Sequence, residues 1–164
     1  MTKLLLGISI VAFTSYCGYV LAKKYRRRKL FFGEWKEFNE RFITEISYYR
    51  RPLGEFFAKF TYKGEFQKFL ESYFEWLNFG SGRISELLEI PFCSFLTKEE
   101  KNILVDYFQM LGKGDSNSQK AYFSSVKETL AKLCANAESF HKKYGDLYIK
   151  LGFLSGLLIL ILII

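Results

Sequence analysis

The residue types that most often carry chemistry are sparse in this chain and poorly placed for it. His141 is the only histidine, with Lys142 and Lys143 directly after it. A proton-transfer role would need a nucleophile or carboxylate held against it. No Cys–His or Ser–His–Asp set can be assembled around it, so it reads as a helix-surface residue. Cys17, Cys93 and Cys134 form no CxxC and no short-range pair. That spacing supplies neither a zinc pattern nor a disulfide framework, and the three read as unpaired thiols in a reducing compartment. The stretch 111-LGKGDSNSQ-119 has the outline of a phosphate loop. Its Gly-Lys pair, however, is followed by Gly114 instead of Ser or Thr, and the earlier glycine would fall at Tyr107. Glu34, Glu37, Glu40 and Glu45 read as mostly solvated. No catalytic, cofactor-binding or metal-binding residue is assigned, and the chain is read as not an enzyme.

Charge is the stronger signal. Lys and Arg number 24 against 17 Asp and Glu, a balance that resembles a nucleic-acid binder until it is mapped. In 21-LAKKYRRRKL-30, six basic side chains (Lys23, Lys24, Arg26, Arg27, Arg28, Lys29) fall within seven residues. With Lys3 and Lys150 they contribute +8, which leaves residues 30–149 at −1. A phosphate-binding domain carries its excess on the folded surface, so nucleic acid is not an expected partner.

The elements beside those charges explain them. Leu4 to Ala22 is 19 residues without a charge, about the length of one transmembrane helix. A cleavable signal peptide is the competing reading, since Val20-Leu21-Ala22 resembles a cleavage site. The run is longer than a usual signal core and its charges follow it, so we read residues 1–22 as an uncleaved anchor and 23–29 as its basic border. At the other end, 151-LGFLSGLLILILII-164 is extended upstream to Leu147, giving 18 residues and roughly 27 Å of helix. Lys150 would snorkel to the interface. Because Lys and Arg favour the cytoplasmic side, the intervening domain is expected inside and both termini outside. The basic run is then a topology anchor that also meets membrane lipid. Thr14-xxx-Gly18 and Gly152-xxx-Gly156 have the small-xxx-small spacing of close helix packing. Glycine merely tolerated in an apolar segment is the open alternative.

Between the anchors, 30–146 reads as an all-α bundle. Phe31, Trp35, Phe38, Phe42, Ile46 and Tyr49 recur at helical spacing, and the segment ends before Pro52. A short helix is expected over 52–60, broken by Lys63-Gly64. A third carries Phe66, Phe69, Leu70, Tyr73 and Leu77, and a small fourth, over 83–90, carries Ile84, Leu87 and Leu88. Thr97-xx-Glu100 is a capping box opening a helix with Ile103, Leu104, Tyr107, Phe108 and Leu111 inward, stopped by Gly112. Ser116-xx-Gln119 reads as a second box. It opens a helix through Tyr122, Val126, Leu130, Leu133, Ala137, Phe140, Tyr144 and Leu147 that meets no breaker before the chain ends.

With two spans around a helical domain, the sequence resembles the stage III sporulation protein AB family. The resemblance rests on Lys3-Leu4-Leu5-Leu6-Gly7, 18-GYVLAKKYRRRKL-30, 45-EISYYRRPL-53, 96-LTKEE-100 leading to 111-LGKGDSNSQ-119, and 151-LGFLSGLLILILII-164. Its most specific part is Leu-Gly-x-x-Asp-x-x-x-Gln, formed by Leu111, Gly112, Asp115 and Gln119. Gly114 stands where the family has Ser, Arg51 where Thr is usual, and Phe108 where Gly is common. Membership implies an antiparallel multi-helix bundle like the type II secretion F domain, flanked by N- and C-terminal transmembrane helices. It implies a platform in the channel complex between mother cell and forespore, in the mother-cell membrane around the forespore. Implied partners are the complex's ATPase, stage III sporulation protein AA, and other proteins of the same operon, while pairing with further copies of the chain is left open by the sequence. No cofactor is implied. A membrane-anchored adaptor outside sporulation is the alternative. Residues 111–119 are either a well-made turn or a docking point for the ATPase, and the sequence leaves both open.

Overall fold

In a computed structural model, the residues described are 2–49, 53–79, 86–87 and 93–163, with the side chains of 2–6, Tyr49 and Ile163 excepted. Among them no strand occurs, and the regular structure is helical. The order is α1 (Thr2–Thr44), a π-helical turn (Glu45–Tyr49), α2 (Leu53–Lys59), α3 (Gly64–Phe79), α4 (Lys98–Met110), α5 (Ser116–Phe140), a second π-helical turn (His141–Gly145) and α6 (Asp146–Ile163). The helix expected over 83–90 lies outside the described residues apart from a 3₁₀ turn at Glu86 and Leu87, and so do Pro52 and Pro91.

By internal contacts the chain forms two compact units, Met1–Lys29 with Asn136–Ile164, and Leu30–Ala135. Helices α1 and α5 each contribute to both.

The unit Leu30–Ala135 is organised by aromatic rings at helical spacing. Phe31, Trp35, Phe38 and Phe42 of α1 are buried, as the periodicity predicts, and Phe32 joins them. Edge-on contacts, the arrangement the ring quadrupole favours, link the helices. Phe31 meets Phe66 of α3 at 5.3 Å, Phe38 meets Phe56 of α2 at 5.3 Å, and Phe42 meets Phe123 of α5 at 4.9 Å. Phe108 is a hub of α4, with its ring 4.8 Å from those of both Phe69 and Tyr73. Burying such a side chain stabilises by about 1.5–3 kcal/mol. The Tyr73 hydroxyl donates to the Phe108 carbonyl at 3.0 Å. Burial pushes that phenol up to about 12, which keeps it a neutral donor.

Helix starts are set by local chemistry. The hydroxyl of Thr97 accepts from the Glu100 N–H at 3.2 Å while the Glu100 carboxylate accepts from the Thr97 N–H at 2.9 Å, the capping box the spacing predicts. Gly64 opens α3 at φ +64, a conformation that favours glycine. The preceding amides are held by side chains, Tyr62 N–H by Gln67 at 2.8 Å and Lys63 N–H by Glu34 at 2.9 Å.

Two inferences about burial need correction. On α5 the residue in the core is Phe123, fully buried, and Tyr122 is only half-buried. Adjacent aromatics fit the same spacing, and only the partner rings decide between them. Glu45 is not solvated: it is buried and pairs with Lys59 at 2.6 Å. It lies seven residues after Phe38, on the core-facing stripe.

In the other unit, α6 runs opposite to the start of α1. Gly7 lies against Leu160, Thr14 against Gly156, Gly18 against Gly152, and Tyr25 stacks on Tyr144 at 5.6 Å. The helical stretch Ser116–Leu162 is long and apolar enough to cross a membrane, by length and composition. Leu154, Leu158, Ile161 and Leu162 stand exposed on it.

Candidate functional site

The turn between α4 and α5 holds Leu111, Gly112 and Asp115 of the motif, and Gln119 follows in the first turn of α5. Leu111 ends α4 buried, with its backbone already extended. Gly112 follows at φ +77, and a Cβ there would come within 2.7 Å of the Leu53 side chain. The backbone conformation therefore favours glycine, and a Cβ would in addition displace the end of the Leu53 side chain. Gly114 is also left-handed, at φ +79. Gln119 reaches back from the first turn of α5 to donate to the Lys113 carbonyl at 3.0 Å, closing the loop from within.

Asp115 is the N-cap of α5. Its carboxylate accepts from the Asn117 N–H at 3.1 Å and from the Ser118 hydroxyl, and its carbonyl starts the helix with a 3.0 Å bond from Gln119 N–H. The expected Ser116-xx-Gln119 box is therefore absent. Ser116 already lies inside α5, and its hydroxyl instead donates to the Ile46 carbonyl of the first π-helical turn at 3.3 Å. The Ser118 hydroxyl and the Asn117 N–H hold the Asp115 carboxyl below its ordinary range, and the helix N-terminus favours the same charge. The result is an anion at an exposed, hydrogen-bonded corner, with exposed Lys113, Asn117, Ser118 and Lys120 around it. Such a corner can bind a partner, but no nucleophile or base is poised there.

The small residues of the two apolar segments also come together. A Cβ on Gly18 would lie 2.5 Å from the Tyr148 carbonyl oxygen, and one on Gly152 would lie 2.7 Å from the Thr14 carbonyl oxygen. A Cβ on Gly156 would meet the Thr14 hydroxyl oxygen at 2.3 Å. Thr14, Gly18, Gly152 and Gly156 thus form one seam in which the backbones touch.

Lys23, Lys24, Arg26 and Arg27 are exposed, as is Lys150. Arg28 lies over the Phe140 ring at 5.5 Å, and Lys29 reaches Glu138 at 3.5 Å. Lys142, and to a smaller extent Lys29, hold the Glu138 carboxyl below its ordinary range. The unit Met1–Lys29 with Asn136–Ile164 carries 10 Lys and Arg against two acids, a net +8, and the unit Leu30–Ala135 carries −1.

One buried cluster was missed from sequence. Asn39 is fully buried between Tyr107 of α4 and the Phe123 carbonyl of α5. It stands four residues after Trp35 and three before Phe42, a placement that marks it as inward despite its polarity. Cys93 is buried, and desolvation pushes its thiol up to about 12, which makes it a poor nucleophile. His141 is half-buried in the second π-helical turn, its ring packed over Gly145. Among the described residues no group of three His, Cys, Asp or Glu side chains could hold a metal ion.

A family model for stage III sporulation protein AB matches residues 3–164. No curated protein and no solved structure matches the chain. Because that match spans essentially the whole sequence, the chain belongs to the stage III sporulation protein AB family, a family of sporulation components.

Proposed function

We propose that this chain is a non-enzymatic membrane platform of the channel complex between mother cell and forespore, coupling a cytoplasmic ATPase to the membrane assembly. In this reading residues 1–22 and 147–164 are two spans, 23–29 is the basic anchor, and 30–146 is a cytoplasmic antiparallel bundle of the type II secretion F kind. Both termini lie outside the mother-cell membrane.

The observation that carries it is the division of charge. The unit with the apolar ends holds +8 and the aromatic unit −1. Basic residues flanking apolar helices retain the adjoining domain on the cytoplasmic side. A domain held there meets a soluble motor directly. The exposed turn at Asp115 offers it a fixed corner.

The partner in this reading is stage III sporulation protein AA, with other proteins of the same operon and further copies of the chain. Asparagine caps helices as well as aspartate does, so Asp115→Asn preserves the turn while removing the charge. Reduced pull-down of the ATPase by Asp115→Asn, with unchanged helix content, supports docking at this corner; unchanged pull-down counts against it. An adaptor outside sporulation would share the topology, and the family match favours the platform.

A further inference from the structure

The seam between α1 and α6 leaves a furrow of about 350 Å³ along one side, lined among others by Thr14, Cys17, Leu21, Leu151 and Ser155. Its cause is the seam itself. Gly18 and Gly152 bring the backbones together without side chains to fill the margin. Two hydroxyls on its walls, those of Thr14 and Ser155, are satisfied within their own helices. Thr14 donates to the carbonyls of Ile10 and Val11, each at 3.1 Å, and Ser155 to that of Gly152 at 3.0 Å. The furrow therefore offers carbon, and almost no hydrogen-bonding capacity, to an occupant.

At one end the character changes. Lys24 follows Leu21 by three residues and Cys17 by seven, so it continues the furrow-lining face of α1, and both it and Lys23 are exposed. A second copy of the chain would bring its own basic run, Lys23 to Lys29, to the same level and be repelled. An amphiphile with an apolar tail and an anionic head matches both parts.

We propose that this face binds an anionic phospholipid, one acyl chain lying along the furrow and the headgroup phosphate held by Lys23 and Lys24. The proposal rests on the two-span reading above. A cationic side chain near an anionic lipid surface contributes about fivefold in affinity. The site would select lipid by charge at one end and by shape along the furrow.

The test uses the full chain in detergent with an equimolar mixture of phosphatidylglycerol and phosphatidylcholine, the retained lipids being counted by native mass spectrometry. The wild-type chain is expected to retain the anionic lipid about fivefold or more over the zwitterionic one. Lys23→Gln with Lys24→Gln should reduce that ratio at least threefold. Cys17→Trp, which fills the furrow, should lower retention of both lipids with helix content unchanged. Equal retention of the two lipids by wild type overturns the proposal, and so does an unchanged ratio in the lysine variant or unchanged retention in Cys17→Trp. A lipid-free dimer also overturns it and assigns the face to a second copy. Flotation with phosphatidylcholine vesicles after an alkaline wash tests the two-span reading separately. A chain that floats but shows no lipid preference defeats the lipid site alone, and one that fails to float defeats both.

Discussion

Tyr107 donates its hydroxyl hydrogen to the side-chain oxygen of Asn39 at 3.0 Å, and Asn39 donates its own amide hydrogen to the Phe123 carbonyl at 3.1 Å. Three helices, α1, α4 and α5, are thereby held in one register inside a core otherwise made of rings. Hydrophobic burial drives the helices together without specifying register. A buried donor that must meet its acceptor penalises every arrangement in which it does not.

Tyr107→Phe leaves the Asn39 oxygen buried without that donor, and should cost about 1–3 kcal/mol. Asn39→Leu should cost a comparable amount by stranding the Tyr107 hydroxyl. The double variant should be less destabilised than the sum of the two, because it removes both ends of the bond. Chemical unfolding of the full chain in detergent, followed by helix circular dichroism, gives the cycle. Strict additivity would show that the bond sets nothing.

Asp115 gives a pH dependence whose sign follows from its partners. Its folded carboxyl titrates below the unfolded-chain value. Its contribution to stability is therefore complete above about pH 3.9 and is lost as pH falls through the lower folded value. Asp115→Asn should remove this part of the acid sensitivity while keeping the cap, and Asp115→Ala should lower stability at neutral pH as well. Thermal melts between acid and neutral pH compare the three. An acid profile unchanged in Asp115→Asn would mean that the carboxylate makes no net contribution.

The seam in the apolar unit predicts a proximity. Cys17 and Ser155 line the same furrow, so a cysteine at 155 should be joined to Cys17 by a short thiol crosslinker. Gly152→Leu should lower that yield severalfold, because a side chain there meets the Thr14 carbonyl and the Gly18 backbone. Equal crosslinking with and without the substitution would contradict the contact. Cys93→Ser and Cys134→Ala keep the remaining thiols out of the assay.

The parts of this structure that were legible in the sequence are those that depend on one helix at a time. The spacing of Phe31, Trp35, Phe38 and Phe42, and the Thr97–Glu100 capping box, are properties of single segments, and both are present. The choice between Tyr122 and Phe123, the burial of Asn39 and the pairing of Glu45 with Lys59 depend on what another helix presents. Periodicity carries no information about that. Spacing suggested a capping box at Ser116, but the cap is Asp115. It prevailed because the two left-handed glycines place its carboxylate under the free N–H groups, while Ser116 points to Ile46. The π-helical turn at His141–Gly145 was signalled only by Gly145, which makes room for the His141 ring.

The central claim is topological, and one labelling experiment tests it most directly. Chains carrying a single cysteine, either at Ser118 in the α4–α5 turn or appended after Ile164, are produced in non-sporulating cells, whose membrane faces the medium, and treated intact with a membrane-impermeant thiol reagent. The two-span platform predicts that the turn is protected until the cells are opened and that the appended cysteine is labelled from outside. Labelling of the turn in intact cells would put the domain on the outer face and contradict its coupling to a cytoplasmic ATPase.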